Sequence, residues 1–147
     1  MDYKKIVCGV TGSEHSMKAA REAARLAREN QAELIFVYAA DAAFLKGLTV
    51  QLTSDFGQKT LEHLGGHILD RAEEIASEQG VPNPKKILRP GSVMEILKQV
   101  IAEEKADLLV IGHEERSFFE KILFKGEVED HVQELINRTG VSVLVVK

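Results

Sequence analysis

The densest run of chemistry-bearing side chains is His113-Glu114-Glu115-Arg116-Ser117. Imidazole, carboxylate, guanidinium and hydroxyl groups so close together could supply a general base, an anion clamp or a nucleophile. A polar loop explains the same residues without chemistry. His63 and His67 stand four apart, so a helix would put both on one face, as a metal-binding pair requires. No third ligand accompanies them, and a solvated helix face is the reading adopted. Cys8 lies inside an apolar run and reads as a buried structural thiol rather than a nucleophile. As the only cysteine, it excludes an internal disulfide and any multi-cysteine zinc or iron–sulfur site. His15 and His131 lie near helix ends with nothing paired to them in sequence. Lys18, Arg21, Arg25 and Arg28 could form a basic stripe, but the interleaved Glu14, Glu22 and Glu29 make it an ordinary solvated face.

The common nucleotide and hydrolase motifs are missing. Gly9-Val10-Thr11-Gly12-Ser13 lacks the glycine spacing and lysine of a P-loop, and also lacks the dinucleotide fingerprint. Ser13 lacks the flanking glycines of a nucleophile elbow.

The elements that would position these residues alternate. Ile6–Val10, Leu34–Tyr38, Leu108–Ile111 and Val141–Val146 are short apolar runs of the kind that form buried strands, and Lys86–Arg89, between the second and the fourth, reads as a third, short strand. Between them lie helical patterns. One carries Met17, Ala20, Ala24 and Ala27 behind a Ser13 cap. A second is expected to start near Asp55, with Gln58 in capping-box register and a face of Leu61, Leu64, Ile68, Ala72, Ile75 and Ala76. Gly65-Gly66 weakens that helix by about 1 kcal/mol per glycine, and Gly80 ends it. A third starts at the capping box Ser92-Val93-Met94-Glu95. A last one carries Val128, Val132, Leu135 and Ile136. Asp41–Thr53 is a long connection with no assigned element. The alternation predicts an α/β fold: a three-layer, doubly wound, five-stranded parallel sheet. Ligands of such sheets bind beyond the strands' carboxyl ends at a topological switch point, which directs attention to the loops after strands one, two and four.

Length and composition agree. The chain has 147 residues, read as a single domain spanning 1–147, with a net charge of −4. A mildly acidic chain has no overall pull toward nucleic acid or an anionic membrane. No run reaches the roughly 20 apolar residues of a membrane span. The absence of a signal-peptide core makes a cytoplasmic protein the expectation.

The chain resembles the universal stress protein family along nearly its whole length. Lys5-Ile6-Val7-Cys8-Gly9-Val10-Thr11-Gly12-Ser13-Glu14-His15-Ser16 looks like the family's first strand and turn. Ala32–Ala39 looks like its second strand, and Arg89-Pro90-Gly91-Ser92 with Ile96 like its third strand and helix start. Ala106-Asp107-Leu108-Leu109-Val110-Ile111-Gly112-His113 is the most family-like segment. Gly126-Glu127-Val128 with Val132, then Val143–Val146, resembles the C-terminal part. The resemblance implies a five-stranded parallel sheet, a homodimer and, in some members, ATP or a related adenine nucleotide held after strands one and four. Other members bind none. In this chain the implied crevice would be formed by Val10, Thr11, Gly12, Ala39, Gly112, His113, Arg116, Gly126, Glu127 and Val128.

The binding members carry glycine, two residues, glycine, nine residues, then glycine followed by Ser or Thr. Here Gly112 matches, Glu115 replaces the second glycine, ten residues (116–125) precede Gly126, and Glu127 takes the Ser/Thr position. Thr11 stands where the family's aspartate is usual, and Ala39 where a valine borders the adenine. Glycine serves where a phosphate must approach the backbone, and Glu115 puts a charged side chain there instead. Two unit charges about 5 Å apart at an effective dielectric of about 20 repel by roughly 3 kcal/mol. Glu127 adds a second source of repulsion. Gly112, Arg116, Lys125 and Gly126 leave a partial site that an uncharged or singly charged adenine compound could use.

The leading expectation is therefore a non-catalytic, stress-linked homodimer with a degraded phosphate loop that does not bind ATP tightly, and no cofactor is expected. The alternatives are an ATP-, ADP- or AMP-binding module with an altered loop, and a slow nucleotide hydrolase, for which no catalytic set is visible. Dimerisation has a separate warrant. The strand 141–146 carries no charge, proline or glycine to guard an edge, so at the sheet edge it invites pairing with a second copy.

Overall fold

The structure, a computed structural model, describes residues 2–41, 54–113, 137 and 139–147, with backbone only at 54–56. The elements run β1 (Lys5–Gly9), α1 (Glu14–Asn30), β2 (Glu33–Ala40), α2 (Ser54–Glu78), β3 (Lys85–Pro90), α3 (Val93–Glu104), β4 (Leu108–Gly112) and β5 (Ser142–Val146). The strands form one sheet in the order β3-β2-β1-β4-β5, and every pair is parallel. This is the expected doubly wound sheet. The expected last helix and nearly all of the 41–53 connection lie outside the described residues.

Alternation along the strands divides the core between two faces. Ile6, Cys8, Leu34, Phe36, Leu108 and Val110 pack under α1 and α2. Val7, Ile35, Val37, Leu109 and Ile111 pack against α3. On α1 the buried residues include Ala19, Ala20, Ala23, Ala24 and Ala27, and these small side chains let the helix lie close to the sheet. Asp107 fixes the start of the central strand: its carboxylate accepts the Lys4 N–H at 2.9 Å and the Lys5 N–H at 3.0 Å.

Helix ends follow local chemistry. Ser13 Oγ accepts the Ser16 N–H, and Ser92 Oγ accepts the Glu95 N–H. Gly80, at φ +91°, closes the turn after α2.

One expectation for α2 is corrected. Leu64 is 49% exposed and does not join the buried face. Gly65 faces the sheet instead, because a Cβ there would lie 2.6 Å from Tyr38 Cε1 and 2.9 Å from Leu88 Cδ1. Gln58 donates from Nε2 to the Ala40 carbonyl at 3.3 Å, at the end of β2; the helix start it is expected to cap falls at residues whose side chains lie outside the described ones.

The two sheet edges differ in kind. On β3, Lys85 pairs with Glu104, Lys86 with Asp70 and Glu73, and Arg89 with Glu103, and the strand ends in Pro90. Charge and proline of this sort discourage a further strand. On β5, Val143, Leu144, Val145 and Val146 are half-buried and carry no charge.

Candidate functional site

The strand order reverses between β1 and β4, so the switch-point crevice opens at their carboxyl ends. β1 leads into Val10, which is buried and donates its N–H to the Val37 carbonyl at 3.0 Å, carrying the chain past the end of the strand. Thr11 and Gly12 then turn at the surface. Gly12 sits at φ +91°, and a Cβ there would lie 2.8 Å from Ile68 Cδ1 of α2. Ser13 caps α1 directly afterwards.

Ser16 organises this turn. It is fully buried, and its hydroxyl oxygen accepts the Thr11 N–H at 3.2 Å and the Gly12 N–H at 3.1 Å while donating to the Ser13 carbonyl at 3.1 Å. One hydroxyl thus takes up two backbone donors at the mouth of the crevice. Sequence reasoning placed this residue in the family-like opening but gave it no role. The signal was the hydroxyl-rich run Thr11-Gly12-Ser13-Glu14-His15-Ser16, in which a serine stands three after the cap.

Gly112 closes the opposite side. A Cβ on it would lie 2.7 Å from the His15 carbonyl carbon and 2.9 Å from Ser16 N, so glycine is what lets the end of β4 meet the first turn of α1. The next residue, His113, brings its imidazole to a ring-centroid distance of 6.1 Å from that of His15, tilted by 47°. His113 Nδ1 is buried and has no hydrogen-bond partner among the described residues. His15, which nothing pairs with in sequence, is thus brought to the site by the fold.

Of the sequence-predicted residues, Val10, Thr11, Gly12, Gly112 and His113 come together around this crevice. Ala39 is half-buried at the carboxyl end of β2, two residues beyond the Gly9–Val37 pairing. Arg116, Gly126, Glu127 and Val128 lie outside the described residues, as does Glu115. Cys8 is buried in the core, with Sγ 3.8 Å from the Gly9 carbonyl, as a structural thiol should be. The α1 stripe is a solvated charged face: Arg25 pairs with Glu22 and Glu29, and Lys18 with Glu14. Its partners raise the Arg25 pKa and lower that of Glu22, chiefly through the hydrogen bonds between the two side chains. Among the described residues no group of three or more His, Cys, Asp or Glu could hold a metal ion. Also among them, no helix is long and apolar enough to cross a membrane.

A doubly wound parallel sheet with a glycine-tight crevice at its switch point defines an α/β protein of the Rossmann-like class. Within that class, the family model "Universal stress protein family" matches residues 2–147. The chain belongs to the universal stress protein family. It is 32% identical over 145 residues to Universal stress protein MJ0531 of Methanocaldococcus jannaschii, covering 99% of this chain and 82% of that one. It is 25% identical over 150 residues to Universal stress protein D of Escherichia coli K12, covering 99% and 96%. Among solved structures, a universal stress protein in complex with cAMP superposes with a TM-score of 0.72 at 27% identity, covering 100% of this chain and 99% of the other. UspA from Lactobacillus plantarum, at 18% identity and a TM-score of 0.71, covers 100% and 99% and supports the fold alone.

Proposed function

We propose that residues 1–147 form one non-catalytic, cytoplasmic stress-response domain that pairs with a second copy through β5 and does not hold ATP tightly. The observation that carries the ATP part is the Ser16 hydroxyl. It occupies the Thr11 and Gly12 N–H groups, so these two backbone donors at the crevice mouth are already engaged within the turn rather than offered to an anion. Glu115 and Glu127 add negative charge at the sequence positions where binding relatives carry glycine and Ser/Thr. The pairing part is supported by the contrast between the edges: charged and proline-ended β3, uncharged β5. Equilibrium dialysis against labelled ATP near millimolar concentration tests the first part. No stoichiometric uptake is expected, and a micromolar dissociation constant refutes it. Sedimentation at dilute concentration tests the second; a persistent monomer refutes it.

A second reading is favoured by one observation. The relative solved with cAMP holds a ligand with a single negative charge. Such a ligand suffers less from Glu115 and Glu127 than a triphosphate does. In this reading Val10, Thr11, Gly12, Ala39, Gly112 and His113, with Arg116, Gly126, Glu127 and Val128, line a site for a singly charged adenine nucleotide. Dialysis against cAMP beside ATP separates the two readings. Tight uptake of cAMP with weak uptake of ATP supports the second, and equal failure of both removes it.

A further inference from the structure

A second candidate lies away from the crevice, on the outer face of α2. His63 and His67 are both exposed and stand one helical turn apart. Their rings meet edge to face with centroids 4.7 Å apart, and the two Nε2 atoms are 3.3 Å from each other. That separation is the bite of a metal chelate. Two metal–nitrogen bonds of about 2.0–2.1 Å at a tetrahedral angle place their nitrogens about 3.3–3.4 Å apart. With both rings as Nδ1–H tautomers, each Nε2 carries a lone pair, and the two nitrogens stand close enough for one ion to bridge them.

The position in the helix gives the pair a consequence. Between the two histidines lie Leu64, Gly65 and Gly66. Gly65 is required by packing, since a Cβ there would collide with Tyr38 and Leu88. Gly66 meets nothing within 4 Å, so it contributes helix weakness with no packing in return. A chelate from His63 to His67 spans this weak turn and holds it helical. Both rings are exposed, so a cation can reach them from solvent. Arg71, four residues after His67, is engaged by Glu74 at 3.0 Å, and Asp70 by Lys86 at 3.1 Å. Lys59, four before His63, is exposed.

We infer that His63 and His67 form a two-imidazole clamp for a divalent transition-metal ion of the Ni²⁺, Cu²⁺ and Zn²⁺ class, closing over the Gly65-Gly66 turn of α2. Imidazole pairs suit these ions and not Mg²⁺ or Ca²⁺, which demand oxygen ligands. The protein supplies two ligands, so the other coordination positions are open to water or to donors from another molecule.

The test is calorimetric titration of the full chain with Ni²⁺ and with Zn²⁺ alone, followed by amide hydrogen exchange with and without metal. One-to-one binding is expected. It should weaken at least tenfold in His63→Ala and in His67→Ala and stay within twofold in His113→Ala. Both α2 substitutions are at exposed positions and leave the core intact. Metal should slow exchange across residues 63–67 in the parent protein and not in His67→Ala. Equal affinity in the parent and His67→Ala overturns the inference, as does metal binding that leaves exchange at 63–67 unchanged. Weakening in His113→Ala with none in the α2 variants would place the metal at the crevice and overturn it equally.

Discussion

Adjacent glycines in α2 should respond to the same substitution with opposite signs. Helix propensity alone says that Gly65→Ala and Gly66→Ala each gain about 1 kcal/mol. For Gly66 nothing opposes the gain, because a methyl group there would meet no heavy atom within 4 Å beyond its own stretch of helix. For Gly65 the new methyl would lie 2.6 Å from Tyr38 Cε1 and 2.9 Å from Leu88 Cδ1. Tyr38 is a rigid, buried ring on the central part of the sheet, so α2 must move. Overpacking of this kind costs about 1–3 kcal/mol, and with the ring this close the upper end applies. The net for Gly65→Ala is then a loss of about 2 kcal/mol after the propensity gain is subtracted. At roughly 2–4 °C per kcal/mol for a domain of this size, Gly65→Ala should melt about 4–8 °C lower and Gly66→Ala about 2–4 °C higher. Thermal unfolding followed by circular dichroism reads both. In a Tyr38→Leu background the Gly65→Ala penalty should fall by more than half, since the ring is the obstacle. Shifts of the same sign in the two single variants would refute the packing argument, as would a penalty that ignores Tyr38.

Ser16→Ala removes the shared acceptor of the Thr11 and Gly12 N–H groups, and at about 1 kcal/mol per hydrogen bond it should cost about 2 kcal/mol in urea unfolding; a loss below 0.5 kcal/mol, taken as about the noise of a surface substitution, would show that water replaces the hydroxyl freely. The bidentate hydrogen bonds from Arg89 hold the Glu103 carboxyl below its usual range. A carboxyl lowered in the folded state stabilises the fold above its unfolded pKa, and that contribution is lost as pH falls through the folded value. The urea midpoint should therefore drop below pH of about 4.3, and less steeply in Glu103→Gln; identical pH profiles would contradict this. Val145→Lys places a charge on the unguarded edge and should yield a folded monomer by sedimentation, whereas a persistent dimer would remove β5 as the interface. Glu115→Gly with Glu127→Ser deletes two negative charges from the loop, and with roughly 3 kcal/mol of repulsion relieved per close pair it should tighten ATP binding at least tenfold in dialysis; unchanged affinity would mean that charge is not what weakens the site.

Much of the fold is legible in the residues because the signals are local. Runs such as Leu34-Ile35-Phe36-Val37-Tyr38 are buried on both faces and advertise a central parallel strand. Ser13, Ser92 and Gly80 mark helix ends through bonds and dihedrals within a few residues. Sequence patterns mislead where the deciding contact is tertiary. Leu64 is apolar and close to the helical spacing of the buried face, while Gly65, which carries no hydrophobic signal, takes the position facing Tyr38. Asp107 pins the start of β1 across the crossover, and no local pattern announces a bond between residues so far apart in sequence.

The same division applies at the site and changes what its glycine means. Gly112 is the position where this chain matches, in register, the phosphate-binding pattern that the resemblance implies. Yet a side chain there would strike the backbone of His15 and Ser16, so the glycine is already required by the meeting of β4 with α1. A residue that packing demands cannot discriminate a binding member from a non-binding one. Gly12 has the same double duty, with Ile68 beneath it and a left-handed backbone. On the proposed reading, the discriminating positions are the donors Thr11 N and Gly12 N, together with the residue types at 115 and 127 in the sequence. Ser16 has claimed the first two, and glutamates stand at the others. On the proposed reading, ligand preference in this chain is set by hydrogen-bond donors and charge around a retained scaffold. For that reason the Ser16→Ala and Glu115→Gly/Glu127→Ser variants are informative about nucleotide binding, and a Gly112 variant would report on folding.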